Sequence, residues 1–211
     1  MSEDRILWGV GTSRTIRAHW ALIELNLPYK TEIIRTRTPD TETATFKSVN
    51  PRQKIPVLQD GTLTIGESAA IVTYLAESYG TDKVSLIPET PKARAKYFEW
   101  MSFICMELDA TSLYVLRRHW SLPEIYGDSP IANKASEEYF NRMITAADKL
   151  KNPKQKYLLE TGFSGVDILM TTTLKWAIDY NQKIPTNFVD YLEKMGNRSG
   201  YIAALEANKM P

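Results

Sequence analysis

The sequence has 211 residues, of which 26 are basic and 25 acidic, and its formal net charge is +1. This length suits one large domain or two modest ones, and a chain of this size buries enough apolar surface to fold without disulfide bonds or a structural metal. Because the charges nearly cancel and form no block of one sign, nothing predicts binding to nucleic acid or to an anionic membrane.

The beginning of the chain, MSEDRILWGVG, has early acidic residues and a short apolar run, which is typical of neither a signal peptide nor a spanning helix. The single cysteine, Cys105, cannot form an internal disulfide, which fits a reducing compartment. Its apolar context, FICMEL, predicts a packed and inert thiol. With two histidines and no paired cysteines, we expect no metal site.

The first segment alternates between strand and helix patterns. RILWGV is a short apolar run suited to a buried strand, and TEIIRTR is a second strand candidate. Between them, apolar residues recur at helical spacing, at Ile16, Trp20, Ile23 and Leu27, and NLP closes the helix. A strand–helix–strand unit implies that the two strands pair in parallel.

A hairpin and a helix follow. IPVLQDGTLTIGE contains two short strands around Asp60-Gly61, and Asp-Gly between apolar runs is a strong hairpin signal. The next helix begins at Glu67 or Ser68 and ends at Gly80. The predicted order is therefore βαβ, an irregular stretch, then ββα.

After Gly80 the composition and the predicted secondary structure change. TDKVSLIPETPKA is rich in proline and polar residues and is typical of a linker, and beyond it only helical patterns occur. The stretch from KARAKYF to RRHW is predicted to be one long helix or two broken ones. We therefore predict an α/β domain over residues 1–82, a linker over 83–90 and an all-α domain over 91–211.

Four features occur in a fixed order: the hydroxyl pair Thr12-Ser13 after the first strand, Ile55-Pro56, Glu67-Ser68, and a later FSGVD. In this order and spacing the chain resembles the cytosolic glutathione transferases, of the bacterial type with a Ser or Thr hydroxyl rather than Tyr or Cys at the sulfur site. The resemblance covers nearly the whole chain. It implies a thioredoxin-like N-terminal domain and a helical C-terminal domain.

Two of these features have a physical interpretation as glutathione contacts. Pro56 cannot donate to a sheet ladder, and a cis Ile55-Pro56 bond would turn the chain, although an ordinary trans proline is the general expectation. The resemblance implies that the bond is cis and that Ile55 pairs with the cysteinyl backbone. Glu67-Ser68 opens a helix, whose N-terminus attracts carboxylates. Simple capping is one interpretation; the other gives Ser68 the γ-glutamyl carboxylate and Glu67 the ammonium.

The hydroxyl pair either caps the following helix or serves a ligand's sulfur. Thioredoxins have Cys-x-x-Cys here, whereas this chain has Thr12-Ser13-Arg14-Thr15, so it cannot exchange dithiols itself. A hydroxyl donor and a helix N-terminus stabilise a thiolate. The resemblance places the catalytic hydroxyl at Ser13 or at Thr12, with Ser13 preferred from the SR signature, and Arg14 adds positive charge.

The remaining assignments are partly structural. Ser164 and Asp167 form a capping box and are not site residues. Several relatives hold the glycyl carboxylate with a His or Lys that is missing here, so Lys54 is the candidate, with Arg37 or Lys47 as poorer ones.

Walls of a second-substrate pocket are expected at Trp8, Val10, Tyr114 and Arg117. The alternative for the LRRH segment is a solvated helix end.

The resemblance thus implies a cytoplasmic, homodimeric transferase that uses glutathione as a co-substrate and needs no metal. It would activate the thiol for attack on a small, hydrophobic electrophile, in detoxification. The alternatives are a glutathione-dependent isomerase or lyase, or a non-catalytic binding or regulatory protein with this fold.

Overall fold

The computed structural model describes residues 5–210. These residues form two compact units, one made of residues 5–87 together with 196–210, the other of residues 88–195. The sequence interpretation assigned everything after residue 91 to the helical domain. The last helix instead belongs to the first unit, because it packs against the first helix of the chain.

The first unit contains a four-stranded sheet in the order β2-β1-β3-β4. The strands are β1 (Arg5–Trp8), β2 (Lys30–Glu32), β3 (Val57–Asp60) and β4 (Leu63–Gly66). β1 pairs with β2 in parallel, as the predicted crossover requires, and the other two pairings are antiparallel. The predicted hairpin at Asp60-Gly61 is confirmed, and Gly61 takes the positive φ of +59° that the turn needs.

The stretch after β1 and its helix departs from the expected pattern. β2 covers three exposed residues rather than the predicted run over 31–37. A 3₁₀ turn, Pro39–Glu42, and a short helix α2, Ala44–Val49, follow. The Thr43 hydroxyl caps α2 by accepting from the Phe46 N–H at 3.2 Å. A six-residue helix is too short to show a period in sequence.

Three helices complete the first unit: α1 (Thr15–Glu24), α3 (Ser68–Tyr79) and α10 (Ser199–Ala207). The rings of Trp20 and Tyr201 lie 4.8 Å apart between α1 and α10. Arg198 also makes a two-pronged ion pair with Glu24, at 2.5 and 2.7 Å. These contacts explain why α10 packs with the first unit.

The second unit is helical, and in its described residues the only β feature is an isolated bridge between Leu159 and Gly162. Its helices are α4 (Pro91–Phe103), α5 (Tyr114–Leu116), α6 (Pro123–Tyr126), α7 (Pro130–Leu150), α8 (Gly165–Asp179) and α9 (Thr186–Gly196). Helical structure runs unbroken from α4 through α5, because π-helical turns occupy Ile104–Leu113 and Arg117–Ser121. No helix within residues 5–210 is both long and apolar enough to cross a membrane.

The predicted capping box opens α8. The Ser164 N–H donates to Asp167 Oδ2 at 2.9 Å, and the Leu158 N–H and the Tyr191 hydroxyl each donate to Oδ1 at 2.9 Å. Burial raises the pKa of Asp167 to about 6. This carboxyl is enclosed by its own unit and has a structural role, as predicted.

Candidate functional site

A short loop carries the chain from the end of β1 to the beginning of α1, and within it Thr12 caps the helix. Its Oγ1 accepts from the N–H groups of Thr15, at 3.0 Å, and Arg14, at 3.3 Å. In return the Thr12 N–H donates to Thr15 Oγ1 at 2.9 Å. This reciprocal pair satisfies donors that a helix N-terminus otherwise leaves unpaired.

Ser13 differs from its neighbour. Its side chain is half-buried, and its hydroxyl has no hydrogen-bond partner among residues 5–210. It lies two residues before Thr15, the first residue of α1, near the helix N-terminus where the dipole favours negative charge. The loop therefore presents one unengaged hydroxyl, that of Ser13, beside one engaged in capping.

Ile55 lies against the same loop. A Cβ built on Gly9, whose φ is +113°, would approach Ile55 Cβ to 2.6 Å, so only glycine fits there. The Ile55-Pro56 peptide bond is cis, as the resemblance implies. Asn50, itself buried, donates from Nδ2 to the Lys54 carbonyl at 2.8 Å, while the Lys54 side chain is exposed. Lys54 thus has a hydrogen-bonded backbone carbonyl and an ammonium that makes no hydrogen bond or ion pair with any side chain among residues 5–210.

Glu67 and Ser68 open α3, as predicted. Glu67 has a φ of +66°, a conformation that non-glycine residues adopt at a cost and that clusters at functional sites. Its carboxylate is 71% exposed and lies 3.0 Å from Arg52 Nη1. Ser68 is buried, and its Oγ accepts from Arg17 Nη1 at 3.2 Å. The helix start therefore carries an exposed carboxylate beside a buried hydroxyl.

Sequence reasoning missed two cations at this position, Arg17 and Arg52. Arg17 is only 1% exposed and adds positive charge beside Ser68. The available signal was a charged residue on the buried face of α1, one residue after Ile16. Arg52 offered no signal, because only the folded loop brings it to Glu67.

The buried His19 contacts the loop through the carbonyl of Gly9. His19 Nε2 lies 3.3 Å from the Gly9 carbonyl and Nδ1 lies 2.8 Å from the Tyr29 hydroxyl. Burial lowers the pKa of His19 to about 4, so the ring is neutral at pH 7. Because a carbonyl only accepts, Nε2 carries the hydrogen and Nδ1 accepts from Tyr29.

The residues expected to line a second-substrate pocket lie in different environments. Trp8 is half-buried, donates from Nε1 to Gln59 Oε1 at 2.8 Å and packs near Phe46, and Val10 is 2% exposed. Tyr114 and Arg117 belong to the second unit, where the Arg117 guanidinium lies 5.6 Å from the Tyr114 ring centre. The pocket itself stays a prediction.

No group of three or more His, Cys, Asp or Glu side chains within residues 5–210 is arranged to hold a metal ion. Cys105 lies in the π-helical segment and is partly exposed. That its thiol is packed and inert stays a prediction.

Comparison with known proteins shows what this arrangement is similar to. Residues 13–78 match the family model of the glutathione S-transferase N-terminal domain, a segment that begins at Ser13 and includes the Glu67-Ser68 pair. Glutathione S-transferase A of Pleuronectes platessa is 24% identical over 170 residues, which are 80% of this chain and 75% of the relative. Glutathione S-transferase D6 of Drosophila melanogaster is 30% identical over 142 residues, which are 65% of this chain and 61% of the relative.

The fold matches solved structures along its length. A glutathione transferase family member from Pseudomonas fluorescens, solved with two glutathione molecules bound, aligns with a TM-score of 0.82 at 21% identity. The alignment covers 96% of this chain and 92% of that one. The thioredoxin-like and helical architecture is thereby confirmed, and the match to the glutathione S-transferase N-terminal domain extends over residues 13–78.

Proposed function

We propose that the first unit binds glutathione and activates its thiol for attack on a small electrophilic, hydrophobic substrate. The observation that carries the proposal is the single unengaged hydroxyl of Ser13 at the N-terminus of α1. Unlike the Thr12 hydroxyl, it makes no hydrogen bond to any of the described residues. A hydroxyl donor and a helix end together favour a thiolate.

The energy required is within reach of these groups. A free thiol has a pKa of about 8.5, and lowering it by about 2 units takes roughly 2.7 kcal/mol. One charge-assisted hydrogen bond from Ser13 supplies about 1.5–3 kcal/mol, and the helix end adds about 0.5 kcal/mol. We assign the sulfur to Ser13 and capping to Thr12, and Arg14 adds positive charge next to the thiolate.

The start of α3 suits the γ-glutamyl end of glutathione, which carries both a carboxylate and an ammonium. The N–H groups of α3, the Ser68 hydroxyl and nearby Arg17 provide a site for the carboxylate. Glu67 is exposed and takes the ammonium. Its ion pair with Arg52 is solvent-exposed, so it competes only weakly with the ligand.

The rest of the tripeptide extends along the loop before β3. The cysteinyl backbone pairs with Ile55, ahead of Pro56, and the glycyl carboxylate meets the exposed ammonium of Lys54. The proposal also includes the second-substrate residues, a two-fold homodimer, cytoplasmic residence and a detoxifying role, each of which the resemblance implies.

The test is titration calorimetry with glutathione, followed by conjugation of a chloronitroaromatic halide. We expect binding at millimolar glutathione or below, with a band of thiolate absorbance near neutral pH that Ser13→Ala weakens. Absence of binding at millimolar glutathione overturns the proposal. Binding without conjugation of the halide or of related electrophiles would leave a glutathione-binding protein that is not a transferase.

A further inference from the structure

We propose that Asn208 is a positioning residue for thiol activation. It holds the loop after β1 and orients the hydroxyl hydrogens of the loop, so that Ser13 is the residue that donates a hydrogen bond to the glutathione sulfur. This inference rests on the proposed function. Asn208 follows α10 and lies far from the loop in sequence. No motif in the sequence pointed to it.

Four hydrogen bonds join Asn208 to the loop. Its Oδ1 accepts from Thr15 Oγ1 at 2.6 Å and from the Gly11 N–H at 3.1 Å, and its Nδ2 donates to the Thr12 carbonyl at 3.2 Å. Its backbone carbonyl accepts from the same Gly11 N–H at 2.9 Å. The amide cannot be reversed, because the Gly11 N–H can only donate and the Thr12 carbonyl can only accept.

The contact to Asn208 sets the direction of the hydroxyl protons. Thr15 has one hydroxyl hydrogen, and Asn208 Oδ1, at 2.6 Å, is closer than the alternative acceptors, the Thr12 carbonyl and Oγ1, both at 3.0 Å. With that hydrogen on Asn208, Thr15 Oγ1 accepts from Thr12 Oγ1. Thr12 thereby uses its only hydroxyl hydrogen inside the loop, and Ser13 is the hydroxyl left to donate to a sulfur.

The position of Asn208 is itself fixed by α10. Arg198 at the start of α10 pairs with Glu24 at the end of α1, and Asn208 beyond the end of α10 contacts Thr15 at the start of α1. The two helices therefore run antiparallel and are joined at both ends. One end is an ion pair that supports the helix, and the other is the polar contact to the loop.

Met210 covers the loop beside this contact. A Cβ on Gly11, whose φ is +77°, would come within 2.5 Å of Met210 Cγ. The side chain of Met210 thus lies directly on Gly11, whose positive φ also favours glycine. Asn208 and Met210 together restrict the loop from one side, and Ser13 stays uncovered by either contact.

The test compares Asn208→Ala and Asn208→Asp with Glu206→Ala, an exposed control near the end of α10 whose partner is Lys209. The readouts are kcat, KM for glutathione, thiolate absorbance of the complex against pH, and the unfolding temperature. For Asn208→Ala we expect kcat to fall about tenfold and the bound thiol's pKa to rise by about half a unit or more, with KM within about twofold of wild type. Glu206→Ala should match wild type in each readout.

Asn208→Asp keeps the size and the accepting oxygen, but it cannot donate to the Thr12 carbonyl and it brings a negative charge to the loop. It should raise the thiol pKa more than Asn208→Ala does, and it carries the test if the alanine variant fails to fold. A lower unfolding temperature with kcat and thiol pKa unchanged would show a merely structural role and overturn the inference. Wild-type protein without any glutathione thiolate would overturn the proposed function first, and this inference with it.

Discussion

Arg52 Nη1 lies 3.0 Å from Oε1 of Glu67, the carboxylate we assign to the ammonium of glutathione. Both side chains are more than half exposed, so the pair contributes little to stability and yields readily to a ligand. Arg52→Ala should therefore leave the unfolding temperature unchanged and tighten glutathione binding by no more than about threefold. Glu67→Gln, measured beside it by calorimetry, should weaken binding about tenfold. Equal affinities for Glu67→Gln and wild type would remove Glu67 from the site.

The backbone of Glu67 allows a separate prediction, because its φ of +66° is costly for any residue with a Cβ. Glu67→Gly should be more stable than Glu67→Ala by about 1–2 kcal/mol in urea unfolding, since glycine adopts positive φ freely. Both variants should lose the ammonium contact and bind glutathione equally weakly. If alanine and glycine variants were equally stable, the torsion would carry no strain.

Substitution should distinguish the roles of the two loop hydroxyls, those of Ser13 and Thr12. Ser13→Ala should raise the pKa of the bound glutathione thiol by about one unit while the unfolding temperature stays constant. Thr12→Val should lower stability by about 1 kcal/mol, because it removes a helix cap, and should leave the thiol titration near wild type. Thiolate absorbance against pH, with thermal unfolding of the same samples, checks both. A shift seen only in Thr12→Val would reverse the assignment.

Lys54 should contact only the glycyl end of the ligand. Lys54→Ala is expected to weaken glutathione binding about tenfold and to leave binding of γ-glutamylcysteine, which lacks the glycine, nearly unchanged. Arg37→Ala and Lys47→Ala serve as matched controls, because each removes another cation from the same region. A selective loss in either control, instead of in Lys54→Ala, would move the carboxylate contact there.

Two buried groups should make stability depend on pH in opposite directions. Burial lowers the pKa of His19 from 6.5 to about 4. Between these pH values the imidazole is therefore protonated in the unfolded chain and neutral in the folded one. His19 therefore contributes stability that is complete above pH 6.5 and is lost as the pH falls towards 4, by about 3 kcal/mol in total. Asp167, whose pKa burial raises from 3.8 to about 6, instead gains a proton on folding. Its contribution to stability increases as the pH falls from 6 towards 4.

Urea unfolding between pH 7.5 and 4.5 distinguishes these contributions. Asp167→Asn should lose stability with falling pH more steeply than wild type, because the loss from His19 is no longer offset. His19→Gln should lose it less steeply than wild type. Parallel curves for all three proteins would mean that neither group changes its proton affinity on folding.

The elements that the sequence predicted are those with local signals. The apolar run of β1, the helical spacing of α1 and the Asp60-Gly61 turn each occupy a few adjacent residues, and each was confirmed. The βαβ order and the capping box at Ser164 followed from spacing of the same short range. The position of Glu67 and Ser68 at the start of a helix was predicted because a recognisable hairpin precedes them.

What could not be predicted depends on contacts between distant residues. Our proposed assignment of the sulfur to Ser13 rather than Thr12 rests on hydrogen bonds to Thr15 and Asn208, which no local sequence pattern predicts. The attachment of α10 to the first unit depends on the ion pair between Arg198 and Glu24. β2 ends at Glu32, before the apolar residues Ile33 and Ile34. Propensity and periodicity describe neither kind of contact.

The first unit is made of two separated pieces of chain, with the whole of residues 88–195 between them. During synthesis from the N-terminus, its sheet and α1 emerge long before α10, so Trp20 and Glu24 remain without Tyr201 and Arg198 until residues 88–195 have been made. Closing so long a loop costs entropy before any contact compensates for it, which slows the step. The helical unit, being continuous, is free to fold first, and the loop after β1 gains its contacts with Asn208 only after residues 88–195 have been translated.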